Sequence, residues 1–445
     1  MGRFAFVLLL SCSISMAVPA QQETAAPVLT LDDAIHAAIE HNRQLESSNF
    51  DVLKARQATA EAATARLPQF NAAVLSGVAI NPIHFTIPKG AIGSAPGIGP
   101  LPAKDVDYNA GRKLTALAHA SIAQPVSQLY KINLGVREAR IGEAFAQQSL
   151  RLKRQQTAAE VREAYYQLAQ TSSEIAAAEA SQRYLDEFSA LMERRLAEEA
   201  VLKSDLLAVK AKASQQRYQL LAFRDDLATA KEAMNRLLGR DLKTDFTVEA
   251  MPAPSIEELD LEAARARALE QRPEIRQSKL QVEKTVIDVR RERAEYLPNL
   301  SLQVSYLTFS NVGFAPQNLS SAGVLFDWQP FDWGQKHHKI EQLSSTARQA
   351  VLSRDDARDQ VLIDVSAKFR KLVEARALVE AQAANREAAE EKLRVTMERY
   401  GQKAVLTADV LEQQAAAAEA NSQWNRALAG FWSAEAEFHR AMGEE

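Results

Sequence analysis

Residues 300–306 alternate without interruption, with Leu300, Leu302, Val304 and Tyr306 against Ser301, Gln303 and Ser305. A period of two predicts a strand with one apolar and one polar face. Ala322, Val324, Phe326 and Trp328 carry the alternation into a second segment. Strands are expected at about 69–80, 114–126, 298–310 and 320–333. Nearly everything else follows a helical period. Ala158, Val161, Tyr165 and Leu168 are spaced three, four and three apart, and Leu362, Val365, Phe369 and Leu372 repeat that spacing. This is the seam of a coiled coil. Nothing interrupts the pattern from about 130 to 197 or from 335 to 400. At about 1.5 Å per residue each such helix extends roughly 100 Å.

The chain is written twice. LDDAIHAAIEHNRQL (31–45) aligns with LEAARARALEQRPEI (261–275), and the same offset carries Leu67-Pro68 onto Leu297-Pro298. Further on, Gln124-Pro125 matches Gln329-Pro330, AVLKSDLL (200–207) matches AVLTADVL (404–411), and Gly239 matches Gly443. Each copy is expected to run helix, strand, loop, strand, very long helix, turn, helix. The first repeat spans 21–239 with a helical hairpin at 130–238. A linker covers 240–257, and the second repeat spans 258–445 with a hairpin at 335–442.

Strand length bears on the environment. The four candidates suit the ~9–11 residues of a tilted membrane strand, although a soluble sheet lying on helices alternates in the same way. Four strands cannot close a barrel, and lipid does not tolerate an open sheet edge. Membrane strands therefore require several chains, and three copies would give twelve. Pro125 and Pro330 are expected at strand ends. The Pro/Gly-rich segment 81–112 suits a long outer loop or a linker. Phe331, Trp333, Tyr306 and Phe309 are candidates for an interfacial aromatic girdle.

Composition narrows the class. With 53 Lys and Arg against 57 Asp and Glu, the net charge of -4 offers no basic excess for nucleic acid. Arg3, the run FAFVLLLSCSISMAV and the small residues Val18 and Ala20 form a signal-peptide pattern over 1–20. The single cysteine, Cys12, lies inside it, and LLSC loosely resembles a lipoprotein processing site. No later run reaches the ~20 apolar residues of a membrane helix.

Taken together, the duplicated plan, the Leu-Pro before the strands, FDWGQ at 331–335 and the two AVL…D turns resemble the TolC family of outer-membrane efflux proteins. The resemblance covers essentially the whole chain after the leader. It implies a mainly α fold with membrane β-structure: a homotrimer whose twelve-stranded barrel, four strands per chain, continues into a long α-helical barrel. It also implies an outer-membrane channel reaching into the periplasm, with a periplasmic adaptor (membrane fusion) protein, an inner-membrane transporter and outer-membrane lipid as partners. Two departures stand out. The family's usual Asn-Pro is Asn42-Arg43 in the first copy and Arg272-Pro273 in the second, and the turn RRLAEEAVLKSD reads as one residue longer than RYGQKAVLTAD.

No catalytic constellation, phosphate loop or metal-ligand spacing occurs, so neither an enzyme nor a cofactor is expected. His337 and His338 are adjacent and point about 100° apart on a helix. By position, the resemblance places Tyr400, Asp409 and Glu412 at the periplasmic aperture. Val405 stands where an arginine of the closing network is often found. Asp409 equally suits the first turn of the last helix as a cap. Ala200, Val201 and Leu202, with Ala404, Val405 and Leu406, put apolar residues at exposed turns, where the resemblance implies adaptor docking. The competing classes are a secreted or periplasmic coiled-coil scaffold, which leaves the strands and the duplication unexplained, and an adaptor, which requires a single hairpin with Gly-rich β flanks.

Overall fold

The computed structural model describes residues 27–78, 80, 84–95, 97, 99–109, 114–254, 260–310 and 317–444. The expected leader, with Cys12, and parts of the 81–112 loop lie outside them. The first repeat comprises β1 (Val28–Leu29), α1 (Leu31–His41), α2 (Arg43–Thr64), β2 (Gln69–Val78), β3 (His84–Ile87), β4 (Gly93–Ala95), β5 (Gly99–Leu101), β6 (Val106–Asn109), β7 (Leu114–Pro125), α3 (Leu129–Ala197) and α4 (Lys203–Leu237). The second comprises β8 (Thr247–Val248), α5 (Leu261–Gln271), α6 (Pro273–Ala294), β9 (Asn299–Ser310), β10 (Asn318–Asp327), α7 (Gln335–Gly401) and α8 (Thr407–Met442).

Each copy opens with two helices rather than the one expected. The break falls on Asn42 (ψ 121°) and on its counterpart Arg272 (ψ 129°), both extended. The two copies make this break differently. The Asn42 carboxamide oxygen accepts from the N–H groups of Gln44 and Leu45 at 2.9 and 3.2 Å, and its nitrogen donates to the Leu237 carbonyl at 2.9 Å. In the second copy Pro273 takes the first position of α6. Its missing N–H costs nothing there, and it drives Arg272 out of the helical region.

A glycine closes on each break. Gly239 (φ +69°) lies against His41, and Gly443 (φ +91°) lies against Gln271 and Arg272. Residues expected as a linker are packed instead. Asn235 donates to the carbonyls of Leu242 and Thr244 at 2.8 Å, Phe246 is buried, and β8 pairs in parallel with β1. In the coiled-coil seams, Ala158, Val161, Tyr165 and Leu168 are all buried. In the second copy Val361 joins Val365 and Leu372 in the core, while Leu362 and Phe369 are half-buried.

Side by side, the helices form two tiers. Near the sheet the order is α2–α3–α6–α7, and beyond the breaks it is α4–α3–α8–α7. The main sheet is antiparallel in the order β10–β9–β7–β2. In all three layers the same elements stand at the flanks: β2, α2 and α4 on one side, β10 and α7 on the other. β10 ends at Asp327, short of the 333 expected. Pro125 is the last residue of β7, where its missing donor falls at the end of the ladder.

Candidate functional site

Registry assigns the faces of the sheet. Phe70 pairs with Ile122, Ile122 with Val304, and Val304 with Ala322; Leu302 pairs with Val324. Directly opposed residues share a face, so even-numbered residues of all four strands lie on one side. That side carries Phe70, Val74, Ile122, Leu302, Val304, Tyr306, Val324 and Phe326, every one exposed. The odd side carries Asn71, His119, Ser121, Ser301, Gln303, Ser305 and Ser321. Along β9 the polar residues Ser301, Gln303 and Ser305 are half-buried, while their apolar neighbours Leu302, Val304 and Tyr306 are exposed. A soluble sheet packed on helices shows the opposite.

Aromatic residues divide differently from the expected girdle. Tyr306 is on the apolar face and Phe309 on the other, so the two cannot belong to one belt. Phe331 and Trp333 lie at the helix end of the sheet, with ring centroids 4.8 Å apart, and Trp333 is 89% exposed. The FDWGQ motif has a local cause. Trp333 (φ +55°) and Gly334 (φ +87°) turn the chain, and the Asp332 carboxylate accepts from the N–H groups of Gly334 and Lys336 at 3.1 and 3.0 Å, starting α7. The capping role of Asp332 was readable from its place before a glycine and a long helix.

At the far end of the helices the two hairpin turns are built alike. Glu199 (φ +58°) and Lys403 (φ +61°) are left-handed, Ala200 N–H reaches the Arg195 carbonyl at 2.8 Å, and Ala404 N–H reaches that of Arg399 at 2.9 Å. These are matched Schellman turns. The alignment holds from Arg195/Arg399 to Asp205/Asp409, so the extra residue read into the first turn does not exist. Ala200, Leu202, Ala404 and Leu406 are exposed at the tips, while Val201 and Val405 are half-buried beneath them.

The aperture candidates separate. Asp409 caps α8, accepting the Leu406 N–H at 2.8 Å, and is half-exposed, whereas Glu412 is exposed one turn along. Tyr400 is buried between the two hairpins. Its hydroxyl donates to the Met192 sulfur at 3.1 Å and lies 3.3 Å from the Thr407 hydroxyl, and its ring meets Phe188 edge-on. Reciprocally, the Tyr184 hydroxyl donates to the Met397 sulfur at 2.8 Å. Tyr184 and Met192 belong to α3, Met397 and Tyr400 to α7, so the contacts cross between hairpins. Burial, with Tyr400 adding to it, pushes the Tyr184 hydroxyl up to about 12. It stays protonated and a donor at any physiological pH. No signal in the sequence pairs these residues. Among the described residues there is no cluster of His, Cys, Asp and Glu able to hold a metal, and no helix is long and apolar enough to cross a membrane.

Residues 264–444 match the model of the outer membrane efflux protein family. That stretch, about two-fifths of the chain and lying within the second repeat, is similar in sequence to the outer membrane efflux proteins. No curated protein matches the chain by sequence. In fold, the chain is similar to the Campylobacter jejuni CmeC outer membrane channel, with TM-score 0.75 and 15% identity over 99% of this chain and 94% of that one. It is similar also to the outer membrane protein VceC from Vibrio cholerae, with TM-score 0.74 and 15% identity over 93% and 96%. A third is CusC, with TM-score 0.76 and 16% identity over 97% and 96%. The fold is that of the TolC-like channels, as the family resemblance implied. CmeC is an outer membrane channel, and CusC forms a transmembrane channel.

Proposed function

We propose that three copies of this efflux protein assemble into an outer-membrane channel. It gives solutes a passive exit duct across periplasm and outer membrane, fed by a periplasmic adaptor and an inner-membrane transporter. The carrying observation is the inverted sheet near the helices: apolar and exposed on the even face, mostly polar on the odd face and half-covered there along β9. Lipid satisfies the first and a water-filled lumen the second.

Assembly follows from the flanks. Strand directions alternate, so the free edges of β2 and β10 run oppositely and can pair antiparallel between copies. The flanking helices carry uncovered apolar residues: Phe50 and Leu53 on α2 and Tyr218 and Leu221 on α4 at one flank, Leu352 and Ile363 on α7 at the other. A head-to-tail contact of this kind closes a ring and removes the open edges. Twelve strands is an even number within the normal range of membrane barrels.

The hairpin tips are the docking surface for the adaptor. Leu202 is 69% and Leu406 73% exposed, at turns where a free hairpin would place polar residues. Asp409 and Glu412 contribute the acidic rim of the aperture, and Tyr400 acts from behind it by holding the second hairpin to the first.

Thiol accessibility tests this reading. In a Cys12→Ser background reconstituted into vesicles, Ser305→Cys is expected to react with a charged, water-soluble thiol reagent and Val304→Cys to be protected. Equal reaction at both, or the reverse order, would exclude the membrane sheet.

A further inference from the structure

The polar face of the sheet is not polar throughout. Its half nearest the helices carries Asn71, Ser121, Ser301, Gln303, Ser305 and Ser321, with Leu325 the one large apolar side chain among them, opposite Ser301. Towards the outer end the same face carries Leu75, Leu117, Leu307, Phe309 and Leu319. These five are contiguous: Leu75 opposes Leu117, Leu117 opposes Phe309, and Leu307 opposes Leu319. Every one of the four strands supplies at least one, so the band crosses the sheet from edge to edge. On the edge strands the band is exposed, Leu75 at 71% and Leu319 at 51%, while Leu117, Leu307 and Phe309 on the central strands are half-buried. These residues lie on the face opposite to the lipid-exposed one, so contact with lipid does not explain them.

Charge sharpens the point. Across β2, β7, β9 and β10 the only charged side chain is Asp327, at the helix end. A water-filled passage selective for small ions is lined by charged rings or carbonyl dipoles. This one has a neutral polar wall that gives way to an apolar band.

We infer that Leu75, Leu117, Leu307, Phe309 and Leu319 form an apolar collar at the outer end of the lumen that binds the hydrocarbon part of amphiphilic organic solutes in transit. The inference rests on the channel reading above. When the sheet closes with its copies the band becomes a continuous ring. The hydroxyls and carboxamides beneath it solvate a polar head group while the collar holds an alkyl or aryl portion. Each methylene withdrawn from water favours residence by up to roughly 0.8 kcal/mol, or about fourfold. Small hydrated ions gain nothing there.

Planar-bilayer recording of the purified, intact oligomer tests this with tetraalkylammonium ions added on the outer side. Tetrabutylammonium is expected to block the sodium current at a concentration roughly tenfold or more below that for tetramethylammonium. In the double variant Leu75→Ser/Leu319→Ser the two ions should block within about twofold of each other. Leu75→Val/Leu319→Val should retain the preference, because it keeps the surface apolar. Sodium conductance without any dependence on alkyl length would overturn the collar and leave the channel standing. A preference unchanged in the serine variant would place the binding elsewhere and also overturn it. No conductance from the intact oligomer would defeat the channel reading and the collar with it.

Discussion

A side-chain carbon on Gly239 would lie 2.0 Å from the carbonyl oxygen of His41, well inside van der Waals contact. Gly239 also holds φ at +69°, where an L side chain is strained. The end of the first hairpin is thus seated directly on the break between α1 and α2. Gly239→Ala is expected to destabilise the protein by about 2–4 kcal/mol, as strain and overpacking together. Gly142→Ala, on a helix with nothing near the new methyl group, should be neutral or stabilising by up to about 1 kcal/mol. Chemical denaturation of the two variants side by side checks the contrast. Equal effects would mean the seat at His41 is not tight.

The crossed tyrosine–methionine contacts join the hairpins near their tips. Tyr400→Phe removes one hydroxyl and should cost roughly 0.5–1.5 kcal/mol. The phenyl ring still meets Phe188, so the fold should survive. Tyr400→Ala empties a buried site and should cost about 3–5 kcal/mol locally. Because the site joins the hairpins, the alanine variant is expected to show larger single-channel conductance than the phenylalanine variant. Identical conductance in both would confine Tyr400 to a packing role.

Asp409 and Glu412 bear on selectivity. In the proposed trimer, Asp409 and Glu412 of three copies would bring six carboxylates to one aperture, where their field would favour cations. Asp409→Asn/Glu412→Gln removes the charge, while Asn still accepts the Leu406 N–H and caps α8. Cation preference should fall and block by multivalent cations should weaken. Unchanged ion selectivity would leave Asp409 as a cap alone.

Asp245 gives a pH dependence of known sign. Its hydrogen bond to Lys231, at 2.6 Å, holds its carboxyl below the usual carboxylate range, with the ammonium charge acting in the same direction. The unfolded chain then binds the proton more readily. The contribution is present above the ordinary carboxylate pKa near 3.9 and is lost as pH falls through the lower folded value. Asp245→Asn should melt below wild type at pH 7, and the two should converge only as pH falls below the ordinary carboxylate range and through the lowered folded value. The effect should be small, because the Asp245 carboxylate is 70% exposed and its charge is screened by solvent. A constant difference across that range would remove the ion pair as its cause.

The sequence makes the strands legible because alternation is a local property, and residues 300–306 display it without a miss. It makes the tips legible because the two AVL…D turns repeat. It hides the break at Asn42, since helical periodicity continues on both sides and a single extended residue leaves no period of its own, whereas Pro273 marks the break at Arg272. Phe246 packs although the stretch around it has no amphipathic pattern, its burial being set by α3 and α4. Tyr400 matched an aperture position along the chain, but which side of a helix faces a neighbouring hairpin is a tertiary fact. The crossed pairs Tyr184–Met397 and Tyr400–Met192 join residues about 200 positions apart, and no local signal links them. Phe309 is a different case: its odd number alone separates it from Tyr306.

The account turns on closure of exposed flanks into a ring. Native mass measurement of the detergent-extracted protein tests this most directly. A single species of three chains, holding together at high dilution, is the predicted result. A stable monomer, with the edges of β2 and β10 both left open, would contradict the channel.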